Sequence, residues 1–198
     1  DYVALGDAYF RAEDFNRARN AYEKALDVDK QSVGAQYGLA YIYFKEGTRR
    51  GVKAMFSHRR AFGAVRQLVE MAPQFAPAYL LYGLCYEWLR GDYERAINYY
   101  DRYLKMRPED PEGLLALGRA CIEVKRYKRI EDVVLPYAER RPEETRLLPV
   151  VGQYLLAYGR SKEASEAFVR FVEGLEPAER ALYEDIRRIK PRFVLNLC

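Results

Sequence analysis

The sequence has one histidine, one tryptophan and three cysteines in 198 residues. A single His58 cannot assemble a histidine-based metal cluster or a Ser-His-Asp constellation, since each needs several converging partners. Cys85, Cys121 and Cys198 are odd in number and widely spaced, which argues against a disulfide framework and a zinc site and favours a reducing, cytoplasmic setting. No apolar run approaches the roughly eighteen residues that a membrane span needs. Neither sign of charge dominates: 33 basic and 29 acidic residues leave +4, which does not demand a nucleic acid partner. No strand pattern is found, and so no glycine-rich phosphate loop following a strand. No cofactor, metal or catalytic constellation is expected. The chain opens on Asp1 and shows no secretory leader; it is read as a segment of a longer protein.

Tyrosine, by contrast, is abundant, with 18 copies. Its apolar ring and polar tip suit half-buried seams better than a deep core, which points to a thin architecture. The chain also repeats itself. LGDAYF from Leu5 recurs as LAYIYF from Leu39, YGLCYE from Tyr82, LGRACI from Leu117 and VGQYLL from Val151. Each copy carries a small residue at its second place: Gly6, Ala40, Gly83, Gly118 and Gly152. A glycine inside a helix costs roughly 1 kcal/mol against alanine, so a recurring one implies two helices in close approach.

A second signature follows each copy. It reads Ala18, Tyr22, Ala25; Ala61, Val65, Leu68; Ala96, Tyr100, Tyr103; Ile130, Val134, Tyr137; and Ala164, Phe168, Phe171. Spacings of four and three place each triplet on one helix face. Pro73, Pro108, Pro142 and Pro177 then close four of the five units, where proline stops one helix and can open the next. Each unit is thus two short amphipathic helices joined by a turn. Pro136 lies inside a predicted second helix and should loosen it locally. Pro149 requires its helix to start within the preceding turn, near Thr145.

This pattern resembles the tetratricopeptide repeat, whose period is about 34 residues. The likeness runs from about Tyr2 to Gly174 and is clearest in AYLLYGLCYEWLRGDYERAINYYDRYLKMRP. The resemblance implies an all-α fold, a right-handed superhelix of five helix-turn-helix repeats that share a continuous apolar seam. The repeats are expected at about 1–32, 33–75 with an insert, 76–110, 111–144 and 145–175. A C-terminal capping helix and tail follow over 176–198. In that helix Ala178, Leu182, Ile186 and Ile189 form one stripe, while Glu179, Arg180, Glu184, Arg187 and Arg188 face away. The first helix is expected to lack a capping residue, which leaves the front edge open to self-association.

In this family the first helix of each pair lines the concave wall. The register then assigns Phe10, Tyr37, Tyr41, Phe44, Leu80, Leu84, Trp88, Arg119 and Ile122 to a groove, with Val3, Asp7, Leu115, Gln153 and Leu156 beside them. Such a surface is aromatic at its centre and fits an apolar or amphipathic polypeptide segment. Some family members clamp a terminal carboxylate with lysines and asparagines along this wall. Here the matching places hold Val3, Asp7, Gly38, Pro77 and Leu81, none of which can donate such a bond from its side chain at neutral pH. A non-catalytic interaction scaffold is therefore the favoured reading. The alternative is a structural module of a larger protein whose own chain fills the groove.

The second unit departs from the pattern. Ala40 and Ala61 are twenty-one positions apart, against twelve between Gly6 and Ala18. Apolar residues continue in helical phase through Val52, Met55, Phe56, Phe62 and Val65, so the insert is expected to extend the second helix backward by about two turns. Arg49, Arg50, Lys53, Arg59 and Arg60 would decorate it, offering a second candidate surface for an anionic partner. With Met55 and Phe56 packed on the neighbouring helix, it would be only a solvated surface. Nucleic acid is disfavoured, because there is no aromatic interleaving of the sort single-stranded nucleic acid needs and the total charge is small.

Overall fold

The computed structural model describes residues 1–49 and 51–181. They form helices joined by short turns, with no strand among the described residues. The chain divides into two compact units, one ending at Arg107 and the other beginning at Pro108.

The first unit holds α1 (Tyr2–Arg11), α2 (Phe15–Val28), α3 (Val33–Gly47), α4 (Val52–Met71), α5 (Ala76–Leu84) and α6 (Tyr93–Met106). A π-helical turn, Cys85–Arg90, prolongs α5. Aspartates start several of these helices by accepting backbone N–H groups that the first turn leaves without partners. Asp14 accepts from Arg17 at 3.0 Å and Asp92 from Arg95 at 3.1 Å. Asp1 does the same for α1, accepting from Val3 at 2.9 Å. The expectation of an uncapped first helix is therefore corrected: a short acidic side chain at the first position is itself the cap. Between helices of a pair the chain passes through the left-handed region at Glu13 (φ 58) and Gly91 (φ 63).

The triplets of the second signature form the core. Ala18, Tyr22 and Ala25, then Ala61, Val65 and Leu68, then Ala96, Tyr100 and Tyr103 are all buried. Tyr22 shows why the small residues recur. Its ring lies against both Gly6 of α1 and Gly38 of α3, where an added Cβ would stand 2.4 and 2.3 Å from ring carbons. Its hydroxyl donates to Asp7 at 2.6 Å. Tyr100 repeats the arrangement on Gly83, where a Cβ would meet the ring at 2.3 Å, and donates its hydroxyl to Glu87. The insert lengthens α4 to 20 residues, against 14 in α2 and α6, as anticipated. α3 has 15 residues and pairs with the long α4.

The second unit holds α7 (Pro111–Glu123), α8 (Tyr127–Arg129), α9 (Leu135–Arg140), α10 (Leu148–Ala157) and α11 (Ser161–Glu173). A π turn over Ile130–Val134 joins α8 to α9. Pro136 stands at the start of α9, so the predicted loosening takes the form of a widened turn directly before the proline. Pro149 is accommodated as expected: a 3-10 turn over Thr145–Leu147 leads into α10, with the proline in the first helical turn. Gly152 seats the Phe168 ring, but Gly118 faces Val150 of α10 rather than a residue of its own partner helix. Residues 177–181 are helical. Arg180, expected to face away, is exposed, and its guanidinium donates to the carbonyls of Val172 (3.1 Å), Glu173 and Leu175 (3.1 Å), capping the end of α11. The rest of the expected capping helix, with Leu182, Ile186 and Ile189, lies outside the described residues, as does Cys198.

Glu131 contributes to the pH dependence of this unit. Glu131 accepts from the Tyr154 hydroxyl at 2.7 Å and pairs with Lys128 at 3.3 Å. The tyrosine bond first, and the lysine second, hold its carboxyl below the ordinary carboxylate range. A depressed carboxylate stabilises the fold at neutral pH, and that contribution is lost as pH falls through its folded-state pKa. Tyr154→Phe removes the leading cause. The variant should melt below the native chain at pH 7, and the gap between their melting temperatures should narrow between about pH 5 and pH 3. A gap that stays constant across this range would refute the assignment.

Candidate functional site

The first helices of the first unit bring aromatic side chains into one connected row. Phe10 meets Phe15 at 5.4 Å between ring centroids and Tyr41 at 5.3 Å, edge to face. Tyr41 meets Tyr37 at 5.9 Å, and Tyr37 meets Phe75 at 5.4 Å. These are the spacings at which the negative face of one ring attracts the positive edge of another. All five rings are half-buried. The Lys45 ammonium lies 5.8 Å from the Tyr41 centroid, at the margin of the row.

Other residues assigned to the groove fall differently. Phe44 and Leu80 are each only 6 % exposed, so both belong to the core and are corrected. Phe44 packs edge to face on Tyr41 within the long α3–α4 hairpin. Leu80 sits in α5, an apolar segment covered on nearly every side. Leu84, at the end of α5, is half-buried. Trp88 is 57 % exposed, in the π turn. A π turn takes more residues per revolution than an α-helix, so the α-helical phase used to align Leu80, Leu84 and Trp88 does not hold beyond Cys85. In the second unit Arg119 and Ile122 are half-buried on α7.

Sequence reasoning missed Phe15 and Phe75, which extend the row from a helix start and from a turn. It also missed a cleft of about 480 Å³ beside α6, lined by Tyr86, Tyr99, Arg95, Arg102 and Lys105 among others. Tyr86 and Tyr99 stack there at 5.4 Å with planes 8° apart. Arg95, Tyr99, Arg102 and Lys105 recur on α6 at spacings of four and three, the signal by which the sequence could have revealed them.

The insert is firmly tied at its inner side. His58 Nε2 lies 2.6 Å from the Gly47 carbonyl, so this nitrogen carries the proton and donates to the end of α3. Ser57 donates to Glu46 at 3.2 Å, and Arg19 also pairs with Glu46. The outer side differs from expectation. Met55 and Phe56 are 71 % and 68 % exposed and do not pack on the neighbouring helix. Arg49, Arg59 and Arg60 are exposed, with the Arg60 guanidinium 5.6 Å from the Tyr43 ring centroid. Arg50 and the side chain of Lys53 lie outside the described residues. Cys85 and Cys121 are buried, and burial pushes the Cys85 thiol up to about 12, which keeps it protonated and unreactive. Among the described residues, no three His, Cys, Asp or Glu side chains could jointly hold a metal ion, and no helix is long and apolar enough to cross a membrane.

Paired helices with recurring small residues at their contacts are a repeat signature, and two tetratricopeptide repeat profiles match residues 3–48 and 87–154, together more than half of the chain. The chain belongs to the tetratricopeptide repeat family. Members of this family are generally scaffolds for protein interactions. The chain is 29 % identical over 105 residues to Anaphase-promoting complex subunit 3 of Schizosaccharomyces pombe, covering 53 % of this chain and 14 % of that protein. It therefore spans about a seventh of that relative. Among solved structures, it is similar to PilW, a type IV pilus biogenesis factor, with a TM-score of 0.73 and 16 % identity, covering 98 % of this chain and 87 % of that one. It is also similar to YrrB, a tetratricopeptide protein with an unusual peptide-binding site, with a TM-score of 0.65 and 17 % identity, covering 93 % and 90 % of the two chains. At these identities the likeness to both structures establishes the tetratricopeptide fold.

Proposed function

We propose that this chain is a non-catalytic interaction scaffold that receives an apolar or amphipathic polypeptide segment on the aromatic face of α1 and α3. The observation that carries this reading is the half-buried row Phe15, Phe10, Tyr41, Tyr37 and Phe75. Rings already held by one another lose little freedom when a ligand covers them, and aromatic anchors dominate binding hot spots. Leu84 and Trp88 are further candidate contacts within the same unit. That YrrB is described as binding peptide adds support from the same fold.

The test is a selection of displayed random peptides on the full chain, followed by titration of the selected peptides. Trp88 is the sole tryptophan, so its emission reports binding directly and should move to shorter wavelength as a peptide covers it. Tyr41→Ala and Trp88→Ala should each weaken binding about tenfold or more, as expected for loss of an aromatic anchor, with helix content unchanged. Selected peptides that bind both variants as tightly as the native chain would rule out this face.

A further inference from the structure

The outer face of α4 carries a second surface with a different chemistry. From Arg49 to Gln67 there is no acidic residue, but there are six basic ones, whereas the whole chain carries only +4. Outside this stretch the charge is thus slightly negative. Arg59, Arg60 and Arg66 are exposed on α4. Beside them stand Met55 and Phe56, whose side chains project largely into solvent. A basic surface with a protruding apolar anchor is complementary to an acidic segment that carries apolar residues of its own.

Gly63 supplies an independent observation. It is exposed within α4, and nothing lies within 4 Å of where its Cβ would stand. Gly6, Gly38 and Gly83 each make room for a tyrosine ring of this chain. Gly63 makes room for nothing in the described structure, yet a helix-interior glycine costs about 1 kcal/mol against alanine. Its position, one turn from Arg59 and Arg60 on one side and from Arg66 on the other, leaves a flat floor between cations where a second backbone can approach closely.

We propose that the outer face of α4 docks an acidic amphipathic polypeptide segment, whose backbone crosses at Gly63, whose apolar residues cover Met55 and Phe56, and whose carboxylates meet Arg59, Arg60 and Arg66. This surface is separate from the aromatic face of α1 and α3.

The probe is a synthetic helix-forming peptide of about 18 residues, long enough to span several turns, with leucine and phenylalanine on one face and glutamate on the other. Its binding to the full chain is followed by fluorescence anisotropy. It should bind saturably and weaken as salt is raised. Gly63→Leu should reduce affinity about tenfold or more while leaving the melting temperature unchanged or higher, since leucine favours the helix. Phe56→Ser should also reduce affinity, and Tyr41→Ala should leave it unchanged. The proposal is overturned if the native chain does not bind the peptide. It is equally overturned if Tyr41→Ala abolishes binding and Gly63→Leu does not, which would move the peptide to the aromatic face. Tighter binding of single-stranded RNA or of anionic lipid vesicles than of the peptide, insensitive to Gly63→Leu, would overturn it as well.

Discussion

Tyr22→Ala is expected to lower the unfolding free energy by about 3–5 kcal/mol, the range for emptying a large aromatic site in a packed core. Tyr22 is fully enclosed, and its ring serves two interfaces at once, against Gly6 on one side and Gly38 on the other. Alanine would leave both glycines facing a void, and helices with only hydrogen where a ring had been cannot close it without tilting α1 and α3. The hydroxyl bond to Asp7 is lost as well. Urea unfolding followed by circular dichroism should show an earlier midpoint or a separate early transition for the first pairs. Tyr22→Phe isolates the hydroxyl and should cost less, about 1.5–3 kcal/mol for a bond to a charged group. A midpoint for Tyr22→Ala within error of the native one would contradict the packing described.

Gly83→Leu should be comparably severe for the opposite reason. A Cβ at Gly83 would stand 2.3 Å from the Tyr100 ring, far inside contact distance. Tyr100 is fully buried, and its hydroxyl is engaged by Glu87, so it has no free space into which to swing. Overpacking of this kind costs about 1–3 kcal/mol, or more where the neighbour cannot yield. Differential scanning calorimetry of the full chain should show a clear fall in melting temperature. The double variant Gly83→Leu with Tyr100→Ala should lose less than the sum of the two single variants, because the second change removes the clashing ring. Losses that simply add would show that the effect of Gly83→Leu arises elsewhere.

Much of this architecture was legible in the sequence because its determinants are local. The triplets beginning at Ala18, Ala61 and Ala96 are spaced by helix geometry alone, and they occupy the core as their periodicity required. Pro136 and Pro149 act within a turn of their own positions. The candidate site was harder to read, since exposure depends on what covers a helix from outside. Phe44 and Leu80 share the sequence character of Tyr41 and Leu84, yet neighbouring helices bury them. Trp88 depended on a widened turn that no periodic template anticipates. Met55 and Phe56 followed the apolar phase of α4 but extend beyond anything that could cover them in the described structure. Phe75 joined the aromatic row from a turn, where helical phase has nothing to say.

The seat of Tyr22 between α1 and α3 also fixes how the molecule can be trimmed. A side chain that borrows a wall from the following hairpin makes each hairpin an incomplete building block, so removing α1 alone would strip the ring of one side and leave α2 a liability. Shorter versions should therefore be cut in whole hairpins, and each new leading helix will need a polar residue where its lost neighbour once lay.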